Sequence, residues 1–261
     1  MFPRLLSIGS FFVPTYGTLV ALGFLVALFV VVRLAKREGL PSDLIANLGI
    51  YCGIAGLLGG KLGMFLFDWK LYWNNPGEIF TRETLQAAGV FQTGLLLAIV
   101  VAALYIRHNR LPWLETFDVF APGVAIGHGI GRLGCFAAGC CWGVPTRLPW
   151  AVTFTNPQAN QLTGVPLGIP LHPTQLYDSL AEAIIFGFLL WRIRRPHPAG
   201  EIIGLYLVLY SVARFGIEFV RVHEQPTELG LSLTQWISIG LFLFGVWLLL
   251  NRTTRRETAH A

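Results

Sequence analysis

The chain has 261 residues, 54% hydrophobic and only 13% charged, with a formal net charge of +5. A soluble domain carries about a quarter of its residues as charged side chains, so this composition excludes one. With a mean hydropathy of +0.60, it points to a polytopic membrane protein.

Seven apolar stretches approach the roughly 20 residues that a membrane-spanning helix needs. They run from Pro14 to Arg33, Leu44 to Phe67, Val90 to Ile106, Phe117 to Ala138, Gln175 to Trp191, Ile202 to Val220 and Ser232 to Leu250. The expected fold is an all-α polytopic membrane protein of about seven transmembrane helices with a small extracytoplasmic cap. It forms a single transmembrane domain over residues 1–261, with outer loops at about 68–89 and 139–174. The first apolar run lacks a basic leader and a small-residue cleavage site, which reads as a retained anchor. Within the second loop, Trp150-Ala-Val-Thr-Phe-Thr lies among six prolines, a setting for a short edge strand or two.

Basic residues orient the spans. Arg33, Lys36, Arg37, Arg107, Arg110, Arg192, Arg194, Arg195, Arg252, Arg255 and Arg256 follow the odd-numbered spans, whereas Arg4, Lys70, Arg82, Arg147 and Arg221 lie on the opposite side. The expected topology is an outer amino terminus and a cytoplasmic carboxyl terminus. Because this bias accounts for the positive charge, the basic pI is no nucleic-acid footprint. Lys61, Arg132 and Arg214 then remain inside spans, where an ionisable group costs at least ~2.5 kcal/mol and is functional by default.

Arg132 lies in Gly127-His-Gly-Ile-Gly-Arg-Leu-Gly-Cys-Phe-Ala-Ala-Gly-Cys-Cys-Trp-Gly143, a run whose glycines let a backbone bend or approach a bulky ligand. In the sixth span Tyr210, Arg214, Glu218 and Arg221 share one helical face, which must turn to the bundle interior. One reading of that stripe is a structural ion pair with Glu218 that sets helix register. The other is a phosphate clamp by Arg132 and Arg214, since a guanidinium fork donates two parallel hydrogen bonds and keeps its charge. Lys61 in Gly59-Gly-Lys-Leu-Gly63 adds a third cation or snorkels to an interface. His172-Pro-Thr-Gln-Leu-Tyr177 opens the fifth span with Thr174 as its expected cap. His172 and Tyr177 there serve either a site or local packing. The spacing of Cys135, Cys140 and Cys141 matches no paired zinc-ligand pattern, so no metal is expected. They read as small packing residues, with a disulfide open to them in an oxidising compartment.

Taken in order, Tyr16-Gly17, Gly59-Gly-Lys-Leu-Gly63, Gly94-Leu, Gly131-Arg-Leu-Gly-Cys-Phe with Trp142-Gly143, His172 to Tyr177 and Tyr210 to Arg221 resemble the bacterial prolipoprotein diacylglyceryl transferase family. The resemblance implies a bacterial inner-membrane enzyme that moves the diacylglyceryl group of phosphatidylglycerol to the lipobox cysteine of a prolipoprotein signal peptide. A thioether forms, glycerol phosphate leaves, and no cofactor is implied. It also implies that Arg132 and Arg214 are the essential pair, and that Tyr16, Gly143, Glu218 and Arg221 match positions that matter.

Two departures stand out. Where the family commonly has a histidine considered as the base, this chain has Gln92. That leaves His128 and His172 as candidates, or a thiol activated by arginines alone. Cys135 replaces a common asparagine, and Cys140 a common acidic residue. Two rival readings follow: a non-catalytic relative that binds phospholipid or lipoprotein through its thiols, and an anionic-solute transporter.

Overall fold

A computed structural model describes residues 3–8, 11–81, 84, 89–222 and 227–258. Arg82, counted above among the outer basic residues, lies outside them. Among the described residues, seven long helices correspond to the seven expected spans: α1 (Thr15–Arg37), α2 (Ser42–Phe67), α4 (Phe91–His108), α5 (Trp113–Ala138), α7 (Thr174–Ile193), α8 (Glu201–Glu218) and α9 (Leu233–Thr258). Two short helices, α3 (Trp69–Asn74) and α6 (Pro157–Thr163), lie in the loops. Five of the long helices are long and apolar enough to cross a membrane on hydropathy alone, α1 most clearly at 2.5. The exceptions, α7 and α8, carry Asp178, Glu182 and Arg192, and Glu201, Arg214 and Glu218. Asp178, Glu182, Arg214 and Glu218 build the site described below, whereas Arg192 pairs with Glu201 at 2.8 Å. The chain is thus a multi-pass membrane protein, and large apolar side chains such as Leu25, Phe29, Leu66, Leu104, Ile184 and Leu243 face outward, as lipid contact requires.

The chain divides into two compact units, residues 32–116 and residues 1–31 with 117–261. In the unit of residues 32–116, α2 packs on α4 through backbone rather than side chains. A Cβ on Gly59 would meet the Thr93 carbonyl at 2.8 Å, and one on Gly94 the Gly56 carbonyl at 2.6 Å. Such close approach suits helices that associate in lipid by van der Waals packing.

In the larger unit α1 and α5 use the same device. A Cβ on Gly23 would meet the Gly127 carbonyl at 2.9 Å, and one on Gly123 would strike Val31 at 2.3 Å. Helix α8 has no capping side chain of its own. Buried Asp118 of α5 supplies one, accepting from Gly200 N at 2.7 Å and Ile203 N at 2.8 Å. A carboxylate suits a helix amino terminus, where N–H groups lack partners and the dipole is positive. This anchors α8 to α5 about 20 Å of helix rise away from Arg214, so the two arginine-bearing helices are registered from their far ends.

The segment after α5 is the expected cap. Strand β1 (Val152–Thr153) pairs antiparallel with β2 (Pro170–Leu171). The strand prediction over residues 150–155 therefore holds, and α6 between the strands is an addition. Phe154, Ala159, Val165 and Leu171 form its small core, with Trp142 and Val152 against it. At the start of α7 the expected Thr174 cap is replaced: Pro173 holds the N-cap position and makes no side-chain bond. Instead the Thr174 hydroxyl reaches across to donate to the Cys141 carbonyl at 2.6 Å.

Candidate functional site

The larger unit gathers ionisable groups from α5, α7 and α8 into its interior. On α5, His128, Arg132 and Cys135 are spaced four and three residues apart, which places them along one helix face. Facing them, α7 presents Asp178 and Glu182 one turn apart, and α8 presents Tyr206, Tyr210, Arg214 and Glu218.

The charges pair across and along these helices. Arg132 Nε lies 3.1 Å from Asp178 Oδ2, and Arg214 Nη2 lies 2.8 Å from Glu218 Oε2. His128 Nδ1 bonds Glu182 Oε1 at 2.6 Å. Asp178 also lies within electrostatic reach of Arg214, so the two arginines share a carboxylate between them. A guanidinium has five N–H donors, more than one carboxylate can occupy. Arg214 Nη1 is buried without a hydrogen-bond partner, and Arg132 Nε sits at ion-pair distance from Asp178 without the alignment of a hydrogen bond. Spare buried donors on two neighbouring cations are what a phosphate needs.

Other predicted residues frame this centre. Tyr210 stacks on Tyr206 and meets the His128 ring edge-on, with centroids 5.7 and 5.8 Å apart. Glu218 accepts from the Ser232 hydroxyl at 3.1 Å. Ser232 in turn accepts from Gln235 N while Gln235 accepts from Ser232 N, the reciprocal capping pair of α9. The structure therefore shows the ion pair of the first reading, Arg214 with Glu218 along one helix. The contact that ties this helix to the next is the Ser232 bond to Glu218, and Arg214 keeps a buried donor without a partner.

At the edge of the cap, Gly143 is enclosed on three sides. Its N–H donates to the His172 carbonyl at 2.9 Å, Val144 N donates to the Val220 carbonyl at 2.9 Å, and Val222 N donates to the Trp142 carbonyl at 3.1 Å. Gly143 thus ties the end of α7's lead-in to the segment bearing Arg221, with which it forms a β-bridge. Close by, Tyr177 Oη accepts from Trp150 Nε1 at 2.8 Å and lies 3.1 Å from His172 Nδ1. Tyr16 packs against Gly134 and lies within electrostatic reach of Arg132 and all three neighbouring cysteines.

Cys135, Cys140 and Cys141 bring their sulfurs within 4.8 Å of one another. Arg221 and Arg132 lie within electrostatic reach of the Cys141 thiol and favour negative charge there. Between α7 and α8 a shallow apolar cleft, open to the surface, is lined by Tyr177, Leu180, Ala213, Gly216, Ile217 and Val220.

Lys61 and Gln92 belong to the unit of residues 32–116. Lys61 Nζ donates to the Thr84 carbonyl at 2.5 Å. Gln92 is exposed in the first turn of α4.

A family model described as prolipoprotein diacylglyceryl transferase matches residues 3–251. The chain belongs to the prolipoprotein diacylglyceryl transferase family. Among curated relatives, the phosphatidylglycerol–prolipoprotein diacylglyceryl transferase of Clostridium tetani is 36% identical over 88% of this chain and 92% of its own length. That of Mannheimia succiniciproducens is 35% identical over 95% and 90%. That of Vibrio parahaemolyticus is 34% identical over 94% and 88%.

Within this family member, the structure brings together Tyr16, His128, Arg132, Gly143, His172, Tyr177, Tyr210, Arg214, Glu218 and Arg221 in one unit. Sequence reasoning missed Asp178 and Glu182. Their signal was present: two acids at i, i+4 spacing in an otherwise apolar helix, the same anomaly that drew attention to α8.

Proposed function

We propose that this protein transfers the diacylglyceryl group of phosphatidylglycerol to the lipobox cysteine thiol of prolipoproteins. In this reading Arg132 and Arg214 hold the lipid phosphate. They exchange part of their pairing with Asp178 and Glu218 for phosphate oxygens, and they stabilise the negative charge that grows on the leaving glycerol phosphate. The apolar cleft between α7 and α8 lies on the neighbouring face of α8 from Arg214, which suits an acyl chain whose headgroup has reached the arginines.

The acceptor must react as a thiolate. His128 is the better placed of the two histidines for its proton: Glu182 holds Nδ1 and leaves Nε2 as the acceptor. His172 has Nδ1 engaged by Tyr177 and its backbone engaged by Val144 and Gly143, so its role is to position the cap against the site. Tyr16, Tyr177, Tyr210 and Arg221 line the substrate path of the larger unit, and Lys61 and Gln92 are proposed as substrate-binding residues of the unit of residues 32–116. We further infer a bacterial inner-membrane location for a single transmembrane domain. Its amino terminus and the cap of residues 139–173 lie outside, and its carboxyl terminus is cytoplasmic, following the basic residues.

The observation that carries this reading is the pair of buried arginines with unused donors, on membrane helices of a chain from this family. The test is incubation of purified protein in liposomes with labelled phosphatidylglycerol and a lipobox peptide. A mass gain of one diacylglyceryl group on the cysteine peptide, absent with a serine peptide and with Arg132→Ala, is expected. No transfer by folded wild-type protein that still binds the lipid would reject it.

A further inference from the structure

Three cysteines of the larger unit converge through backbone geometry that their sequence spacing hides. Cys135 lies in the last turn of α5. The chain then reverses through Gly139 at φ +82° and Cys141 at φ +63°. Gly139 N and Cys140 N both donate to the Cys135 carbonyl, at 3.0 and 3.1 Å. A cysteine in the left-handed region is strained by about 1 kcal/mol or more, a conformation that persists only where its surroundings impose it. Here α7 imposes it: Thr174 Oγ1 donates to the Cys141 carbonyl at 2.6 Å, and Gln175 Nε2 to the Cys140 carbonyl at 2.5 Å. Both of these side chains are fully buried. The turn is therefore clamped from outside, and the clamp points three sulfurs at one another.

Those sulfurs lie within 4.8 Å of one another. Zinc–thiolate bonds of about 2.3 Å place tetrahedral ligand sulfurs about 3.8 Å apart, so closure requires movements of an ångström or less. No metal was expected from the sequence because Cys135, Cys140 and Cys141 do not form two separated ligand pairs. A helix end followed by left-handed Gly139 and Cys141 instead gathers all three donors into one cluster. Among the described residues no further His, Cys, Asp or Glu joins the cluster. Three protein ligands and an open fourth position are the signature of catalytic rather than structural zinc. Soft thiolates select zinc-class and monovalent copper ions over magnesium or calcium. Arg132 and Arg221 lie within electrostatic reach of Cys141 and offset the negative charge of a three-thiolate complex.

Resting on the transferase reading above, we propose that Cys135, Cys140 and Cys141 bind a zinc-class ion whose open position takes the acceptor cysteine of the prolipoprotein. A thiol on such an ion is deprotonated outright, which supplies the activation left vacant by Gln92. The thiol proton passes through water to His128 Nε2. The metal-held sulfur then donates its electron pair to the glyceryl carbon next to the phosphate. The carbon–oxygen bond breaks, its pair stays on the phosphate oxygen beside Arg132, and the thioether leaves the metal. No oxidant or reductant takes part.

The test uses full-length protein purified in detergent with a reducing agent, stripped with a chelator and reloaded with Zn²⁺ or Co²⁺. Wild type is expected to retain about one zinc per chain. Each of Cys135→Ser, Cys140→Ser and Cys141→Ser should weaken retention by at least the ~10-fold that loss of even an outer-shell partner costs. In case a serine variant misfolds, the cobalt-loaded wild type gives an independent reading. Its thiolate-to-cobalt absorption should shift on adding the cysteine lipobox peptide and not the serine peptide. Stripping should abolish transfer and Zn²⁺ should restore it. Full transfer by stripped wild type, or no zinc retained, overturns the metal site while leaving the transferase intact. A cobalt shift with no transfer under any loading upholds the site and rejects the transferase reading instead.

Discussion

Gly143→Ala is the most demanding substitution the structure defines. A Cβ there would lie 2.4 Å from the Val220 carbonyl oxygen, 2.6 Å from His172 Cβ and 2.8 Å from Thr174 Cγ2. Carbon atoms in contact prefer about 3.5–4.0 Å, so the neighbours must retreat by roughly an ångström. None is the end of a flexible chain. The movement strains the three backbone bonds that join Gly143, Val144 and Val222 to His172, Val220 and Trp142. Overpacking costs about 1–3 kcal/mol, and each bond lost adds about 1 kcal/mol, which together make a loss of about 3 kcal/mol a fair expectation. For a chain of this size that corresponds to a fall in Tm of about 6–12 °C. Transfer should fall as well, because His172 and Arg221 are displaced together.

The assay is thermal unfolding in detergent followed by circular dichroism, run beside lipid transfer. Gly131→Ala is the internal control. It lies in the same glycine run, but a Cβ there meets nothing within 4 Å, and an alanine in a helix gains about 0.5–1 kcal/mol over glycine. Its Tm should hold or rise. Equal Tm and activity for wild type and Gly143→Ala would refute the argument.

Arg214→Lys should lose transfer by at least about 10²-fold while folding normally, because a lysine keeps the charge beside Glu218 but not the planar fork; full activity by mass-detected transfer would remove the clamp. Arg214→Ala should also destabilise, by about 3–5 kcal/mol, since it strands the buried Glu218; an unchanged melting curve would show that the pair is not desolvated. Asp178→Ala strands Arg132 in the same way and should lower Tm while weakening transfer less than Arg132→Ala, which the same two assays measure. His128→Ala should reduce kcat by about 10²–10⁴-fold, whereas Gln92→Ala should cost less than tenfold. The reverse ranking in steady-state kinetics would move the proton acceptor to the unit of residues 32–116.

The membrane class and the seven helices were legible in the chain because lipid imposes a one-dimensional rule. A segment must be long, apolar and internally hydrogen-bonded to cross, and sequence records all of that locally. The intramembrane arginines were legible for the same reason, as violations of that rule. Asp178 and Glu182 broke it equally but were passed over beside the polar stripe of α8. Thr174 was read as a cap from local preference, yet a carbonyl of the cysteine turn takes its hydroxyl.

By itself, then, the sequence determined the membrane class, the placement of seven long helices, and the family. Only the tertiary structure decided the partners: which carboxylate holds which arginine, and what encloses Gly143. It likewise brought three cysteines five and six residues apart to a single point. Those outcomes depend on how helices are registered against each other and on two left-handed residues held from across the fold. Non-local packing sets both, and no window along the chain contains it.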